Sequence, residues 1–584
     1  MRSFFKFFFA SLLAIVVFSI IAFFFLLGFV SNITSKNAVR VEPASVLVLD
    51  LGQSFAEQMR ESPFSMVSAE TRDVPGLYDV IRLIHRAKDD KNIAGIYIKA
   101  DGNPNGFAAS DEIRSALNDF KGSKKFIIAH GDVMTQKAYA VANTADKIYL
   151  SPQGYLEWTG YSVEYAFLKG TLEKLQIEPQ VFYAGKFKSA TEPFRTDRMT
   201  PENRLQTSVW LNDLYSDLLL KTAEARKTDT ATLHSIASEA KIQTAKDAVT
   251  YHLVDATKYD DEVKDEIKSN LGLDKYERIS FITLNQYLES GHPAKQRGDK
   301  IALIYAEGNI VDGKSSDDAT IAADNYRTLL RKARLDKSIK AIVLRVNSGG
   351  GSSMASETIW RELSLAKKEK PVIVSFGDVA ASGGYYISCA ADSIFAHPVT
   401  ITGSIGVFGI IPNMQQFFKN KLGVTFDGVK TGAYADAGGI YRPLNENEKK
   451  LVQANVNMIY SQFKQRVAEG RKKDTAYVDS IAQGRVWTGL RAKEIGLIDR
   501  FGGLDDAIRS AATMAKLDAY SVKEYPEPKN LFNRLFGRSD PMNYSDKIKK
   551  EMGEENYQIY LEVKNIRELS NTIQARLPFQ FFIH

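Results

Sequence analysis

The sequence predicts an α/β protein: two tandem βαβ domains behind a single N-terminal transmembrane helix. Three observations carry this. Phe7–Val30 holds no charged side chain, the chain repeats itself at an offset of 246, and within each repeat short apolar runs alternate with helical stretches. Strand–helix alternation of that kind implies right-handed βαβ units around a largely parallel sheet.

At about 1.5 Å per residue, Phe7–Val30 makes a helix of about 36 Å, enough to cross a bilayer core of about 30 Å with some tilt. It is too long for the apolar part of a cleaved signal peptide, and no A-x-A-like site closes it, so it reads as a retained anchor. Arg2 and Lys6 precede it. The positive-inside rule keeps them in the cytoplasm and puts Ser31 onward outside it, which in a bacterium means the periplasmic side of the inner membrane or the exterior.

The repeat follows. RAKDDKNIAGIYIKADG (Arg86–Gly102) aligns with KARLDKSIKAIVLRVNSG (Lys332–Gly349), and the same offset carries ASDEI (109–113) onto ASETI (355–359) and Gly131–Val133 onto Gly377–Val379. A fixed register over this length marks a duplication. Each copy opens on a β-rich run, Ser45–Asp50 or Lys300–Tyr305. It continues through a helix (Leu77–Ala87, Tyr326–Ala333) and an apolar strand (Ile93–Ile98, Ala341–Val346), and later holds a long helix (Pro201–Arg226, Asn445–Arg471). The polar stretch Ser290–Asp299, with Gly and Pro, suits a linker. The expected domains are therefore 45–298 and 299–525, followed by a charged tail, 526–584. Within the tail Tyr544–Ile573 has helical character and the terminal FQFFI is apolar.

Composition narrows the function. The net charge of +6, from 76 basic and 70 acidic residues, gives no argument for nucleic-acid binding. The single cysteine, Cys389, excludes an intrachain disulfide and a cysteine-rich metal site, and its apolar helical setting reads as core.

The chemistry is expected in Val374–Gly409. The run Val372–Val374 is broken at Gly377–Asp378 and Tyr385–Ala391 reads as a helix, so Ser382 falls where a strand hands over to a helix. Gly383 and Gly384 leave N–H groups at the positive end of that helix, where an oxyanion could be held. VNSGGGS (Val346–Ser352) supplies a second set of glycines just after a strand, able to pair with an extended peptide by strand addition. The first copy has Gln136 at the position of Ser382 and ADGNPNG (100–106) in place of the glycine run. A serine needs a base. Seven histidines are present and none stands in a recognisable serine-hydrolase motif. The alternative is a lysine kept neutral by burial. Lys188, in YAGKFKSATEPF (Tyr183–Phe194), is flanked by Phe187 and Ala190, and the matching segment VKTGAYADAGG (Val429–Gly439) puts Ala435 at the lysine position. Each copy keeps what the other lost. Should the base lie within the second copy instead, His397 and Lys430 are the candidates.

These segments resemble signal peptide peptidase A, also called protease IV, in its double-length form. RVNSGGGS (345–352), GDVAASGGYYIS (377–388), TGSIGVFG (402–409), GKFKSATEPF (185–194) and GRVWTGLRAKEIGLID (484–499) carry the resemblance. It implies a ClpP/crotonase-like fold in each copy, a homotetramer, no metal or cofactor, and cleaved signal peptides as substrates. It also implies a Ser/Lys dyad of Ser382 as nucleophile and Lys188 as general base, Ser404 as the hydroxyl orienting the lysine, and Gly350 and Gly383 as oxyanion donors. Gly349 departs from the proline expected there. Two other readings stay open at this level: a crotonase-like acyl-CoA enzyme sharing the fold and glycine turn, and an inactive membrane scaffold.

Overall fold

A computed structural model of the chain describes residues 7–9, 11–21, 39–59, 74–291, 298–315, 317, 319–527 and 573–577. Of the predicted anchor, residues 7–9 and 11–21 are helical with exposed side chains, and the remainder lies outside the described residues. Among the described residues no helix is long and apolar enough to cross a membrane. Most of the tail likewise lies outside them.

The duplication is visible element by element. Helix Leu77–Asp89 recurs as Ala323–Leu335, strand Ile93–Lys99 as Ile339–Ser348, helix Phe107–Lys121 as Ser353–Lys367 and strand Phe126–Met134 as Val372–Ala381. Each of these pairs begins 246 residues apart. The repeated aspartates Asp90 and Asp336 have a physical reason. After each first helix an aspartate side chain accepts a backbone N–H two residues on, Asn92 to Asp90 at 2.9 Å and Ser338 to Asp336 at 2.8 Å, turning the chain into the next strand. A lysine then donates to carbonyls at the helix end: Lys125 Nζ to Ala87 O and Asp90 O, and Lys370 Nζ to Ala333 O and Asp336 O.

In the first copy six parallel strands lie in the order Ala256–Thr257, Lys147–Leu156, Phe126–Met134, Ile93–Lys99, Ser45–Asp50, Phe281–Thr283. In the second the order is Val486–Thr488, Ile401–Gly403, Val372–Ala381, Ile339–Ser348, Asp299–Glu307, Tyr520–Tyr525, with the first of these antiparallel. The central strand Ile339–Ser348 is apolar over Ala341–Leu344 and buried on both faces, as a strand covered by helices on each side must be.

A third sheet joins the copies. Its order is Thr320–Ala322, Asn309–Val311, Gly350–Ser352, Gln574–Arg576, Val407–Asn413, Glu178–Ala184. The last strand belongs to the first copy and pairs antiparallel with the second, from Ala184 against Val407 to Glu178 against Asn413. Two findings depart from the sequence expectation. The helix after Ser382 is short, Gly383–Ser388, and ends before Cys389. And the segment beyond Ile573 does not trail away: Gln574–Arg576 is a strand inside the third sheet. Its pairing partners lie more than 160 residues away along the chain, so local pattern carries no sign of it.

Buried charge also ties the copies together. Arg345, mid-strand in the second copy and fully buried, donates from Nε to Glu57 at 2.8 Å and from Nη2 to Glu112 at 2.5 Å, both in the first copy. Asp378 accepts the N–H groups of Ala108 and Ala109 at 2.8 and 3.1 Å, capping the start of the first copy's helix.

Candidate active site

Ser382 ends the strand Val372–Ala381 and immediately precedes the helix Gly383–Ser388. Its φ of +54° lies in a region that side chains rarely occupy. The turn is held from both sides: Ser382 N–H donates to Gly403 O at 2.8 Å, and Tyr386 N–H donates to Ser382 O at 2.8 Å. Ser404 is also at positive φ, +48°, with its N–H on Arg485 O at 2.7 Å. Two strained serines fixed by main-chain bonds are what a preorganised site requires.

Lys188 arrives from the other copy. The strand Glu178–Ala184 delivers it, Gly185 turns the chain at φ +104°, and Phe187 N–H docks on Gln483 O at 2.8 Å. Gly484 lets the loops touch, because a methyl group there would stand 2.7 Å from Lys188 Cβ. Arg485 lies over the Phe187 ring and Gln206 Nε2 donates to Phe187 O at 3.0 Å. Thus the signature beginning at Gly484 works as the brace of the lysine loop.

The amine ends 2.9 Å from Ser382 Oγ, 3.0 Å from Ser404 Oγ and 3.1 Å from Ser404 O. Burial holds its pKa well below the ordinary lysine value, with no carboxylate acting to raise it. A neutral amine has two N–H donors and one lone pair. Ser404 O and Ser404 Oγ can take the two N–H groups, leaving the lone pair for the Ser382 hydroxyl. Among the described residues, the hydrogen-bond partner of Ser382 Oγ is Lys188 and no histidine.

The glycines also meet. Gly383 N would lie 2.7 Å from a methyl group on Gly350, and Gly350 Cα 3.1 Å from one on Gly383. The two are not equivalent, because Gly350 N–H donates to Ser348 Oγ at 3.1 Å. Gly349, in place of the expected proline, has room for a side chain: the nearest atom, Leu577 Cβ, would be 3.6 Å from it.

The fallback bases stand elsewhere. His397 faces Asp111 at 3.7 Å, and Lys430 pairs with Asp436 on an exposed loop. Cys389 is buried, its thiol pushed up to about 12 by burial. Three features escaped sequence reasoning: the Arg345–Glu57–Glu112 cluster, the brace at Gln483–Arg485, and the tail strand. Only the first has a local signal, an arginine within the apolar run Ala341–Val346.

With this geometry in view the chain can be compared with known proteins. The model of Peptidase family S49 matches residues 118–274 and 364–518, one stretch in each copy and each beginning at the same repeat position. Protease 4 of Salmonella typhi is 37% identical over 465 residues, covering 77% of this chain and 74% of its own length.

The chain belongs to peptidase family S49.

Protease 4 of Haemophilus influenzae is 34% identical over 83% of this chain and 81% of its own length, and the chloroplastic serine protease SPPA of Arabidopsis thaliana is 33% identical over 82% and 70%. Among solved structures, a point mutant of ClpP1 from Listeria monocytogenes matches 35% of this chain and 94% of its own, at 15% identity and a TM-score of 0.24. Of the readings open to the sequence, family membership selects the serine protease over the acyl-CoA enzyme and the inert scaffold.

Proposed function

We propose that this S49 serine protease is a membrane-anchored endopeptidase that hydrolyses extended apolar peptides, remnant signal peptides among them, with Ser382 as nucleophile and Lys188 as general base. The observation that carries this is the 2.9 Å approach of a desolvated lysine amine to a serine hydroxyl. Neutral Lys188 takes the proton from Ser382 as Oγ attacks the peptide carbonyl, and returns it to the leaving amine as the acyl-enzyme forms. The oxyanion is met by Gly383 N–H, and by Gly350 N–H once it turns from Ser348 Oγ. Water then repeats the sequence and frees the serine.

Anchoring by Phe7–Val30, with both copies on the extracytoplasmic face of a bacterial inner membrane, is supported by the uncharged stretch and by Arg2 and Lys6 before it. A ring of four chains follows the family resemblance, and unequal pairing in the third sheet supports head-to-tail association. Strand Glu178–Ala184 pairs with Val407–Asn413 inside one chain, while the repeat equivalents of both, 425–431 and 161–167, form no strand. Such a head-to-tail pair can be satisfied by the next copy of the chain.

The test is active-site labelling. A fluorophosphonate should modify wild-type protein at Ser382 and should not modify Ser382→Ala, and Ser382→Ala and Lys188→Ala should each lose several powers of ten in hydrolysis of an apolar fluorogenic peptide. Folded wild-type protein that neither labels nor hydrolyses the peptide sinks the reading.

A further inference from the structure

One buried amide reaches both halves of the dyad. Gln206 lies early in the first copy's long helix, Pro201–Arg226. Its Nε2 stands 3.0 Å from Phe187 O and 3.0 Å from Ser189 Oγ, on the residues either side of Lys188. Its Oε1 accepts the N–H of Val486, in the second copy, at 3.1 Å. Val486 pairs with Gly403, whose carbonyl takes the Ser382 N–H at 2.8 Å, and it follows Arg485, whose carbonyl takes the Ser404 N–H at 2.7 Å. The nitrogen of this amide therefore holds the lysine loop directly, and its oxygen holds the strand on which both strained serine turns rest.

The lysine loop has little regular structure of its own. Lys188, at φ −74° and ψ +76°, is the centre of an inverse γ-turn closed by Ser189 N–H on Phe187 O at 2.8 Å, and Gln206 donates to that same carbonyl. The amide can sit only one way round: Phe187 O can only accept and Val486 N–H can only donate, so nitrogen faces the loop and oxygen the second copy. Its neighbours are fixed as well. Asn203 Nδ2 donates to the buried Glu192 carboxylate at 2.9 Å, which turns Asn203 Oδ1 toward Gln206 Nε2 at 3.2 Å. Glu192 also accepts the N–H and hydroxyl of Thr200, the cap of the same helix, at 3.2 and 2.6 Å. In a buried network of this kind a lost partner leaves a polar atom unsatisfied, so the geometry is held tightly.

We propose that Gln206 is a positioning residue for catalysis, which sets the separation of Lys188 Nζ and Ser382 Oγ by tying the turn that carries the lysine to the strand that supports the serine turns. The proposal rests on the Ser382–Lys188 reading above. Gln206 acts through the main chain on either side of Lys188 and takes no proton itself. Proton transfer from serine to lysine requires the two side chains within hydrogen-bond reach, and a misplacement of about 1 Å in such a pair costs about a hundredfold in rate. Substrate binding does not pass through this amide, so its loss should fall on kcat and leave KM unchanged.

The experiment compares full-length wild type with Gln206→Met, Gln206→Glu, Lys188→Ala and Gln136→Met. Methionine keeps the length of the side chain and removes both bonds; glutamate keeps the acceptor for Val486 N–H and sets an oxygen against Phe187 O. Gln136→Met removes an equally buried amide from the first copy and serves as the control for lost stability. Each protein is followed by peptide hydrolysis and by fluorophosphonate labelling, read as both the rate constant and the final fraction labelled. Both Gln206 variants should label to the wild-type fraction about a hundredfold more slowly, with kcat lowered to match and KM steady, while Gln136→Met keeps the wild-type rate constant. Rate constants within about threefold of wild type in both Gln206 variants would overturn the positioning role. A smaller labelled fraction at an unchanged rate constant would overturn it too, since that marks lost folded protein, and so would an equal slowing in Gln136→Met. Those outcomes leave the dyad standing as long as Lys188→Ala is inactive; Lys188→Ala at the wild-type rate removes the dyad and the role of Gln206 together.

Discussion

Replacing Ser404 by alanine removes one hydrogen-bond partner from the lysine and leaves the rest of the site in place. The amine has three neighbours, Ser382 Oγ at 2.9 Å, Ser404 Oγ at 3.0 Å and Ser404 O at 3.1 Å. In the proposed mechanism it enters neutral, and as it takes the serine proton it becomes an ammonium with three N–H groups and needs all three acceptors. The variant strands one N–H in a dry pocket while charge develops on it. A hydrogen bond to a charged group contributes about 1.5–3 kcal/mol. At about 1.4 kcal/mol per factor of ten, kcat should fall about 10–150-fold. Alanine keeps Cβ, so the strain of the +48° backbone is unchanged and folding should survive. Ser404 does not touch substrate in the proposed mechanism, so kcat and kcat/KM should fall together with KM steady. Initial rates on an apolar fluorogenic peptide decide it: a loss below about threefold, or one confined to KM, would refute the orienting role.

Four further outcomes follow from the same structure. Because burial lowers the Lys188 pKa, kcat/KM should rise with pH through a value well below the free-lysine pKa of about 10.4 and then level; a rate still climbing above about pH 10 would contradict a desolvated base. The unfolded chain keeps the lysine proton up to that ordinary value while the folded chain gives it up earlier, so the lysine lowers stability at neutral pH and the deficit shrinks as pH rises. Lys188→Met should therefore raise the melting temperature at pH 7 by about 2–4 °C or more, the gain fading toward pH 10, and a lowered melting temperature at pH 7 would count against this. Arg345→Met leaves Glu57 and Glu112 buried without their cation and should cost about 3–5 kcal/mol, with recovery when both glutamates also become glutamine; a single variant within about 1 kcal/mol of wild type in denaturant unfolding would show the cluster to be dispensable. Residues 46–298 and 300–584 expressed apart should each be inactive toward peptide, with turnover appearing on mixing if the strand pairing of Glu178–Ala184 re-forms; turnover by 300–584 alone would place the base in the second copy.

Most of the α/β frame is legible in the sequence because its signals are local. The amphipathic spacing of Leu77, Val80, Ile81 and Ile84, the β-branched run Val372–Val374 and the glycines after each strand act within a few residues. The meeting of Ser382 and Lys188 is a different kind of inference, since 194 residues separate them. It was reachable only because the duplication supplies an internal comparison in which each copy lacks what the other keeps. No comparison of that kind exists for the Gln483–Arg485 brace, whose work is done by main-chain atoms and by the absence of a side chain at Gly484. Nor does one exist for the tail strand, which has no counterpart in the first copy and whose short sequence, Gln-Ala-Arg, carries little strand preference.

The first copy has done more than lose its serine; the side chain that replaces it is tied into hydrogen bonds of its own. Gln136, at the position of Ser382, donates from Nε2 to Gly160 O at 2.9 Å, and its Oε1 accepts from Thr159 N–H at 3.1 Å and Gly160 N–H at 2.9 Å. Trp158 stands at the position of Ser404, buried, its ring edge-on to Tyr139 at 5.6 Å and its Nε1–H on Leu233 O at 3.0 Å. The amide and the indole are thus each satisfied by hydrogen bonds within the first copy. The division of labour is therefore structural: the first copy presents Lys188, and the second has kept the strained turns that receive it.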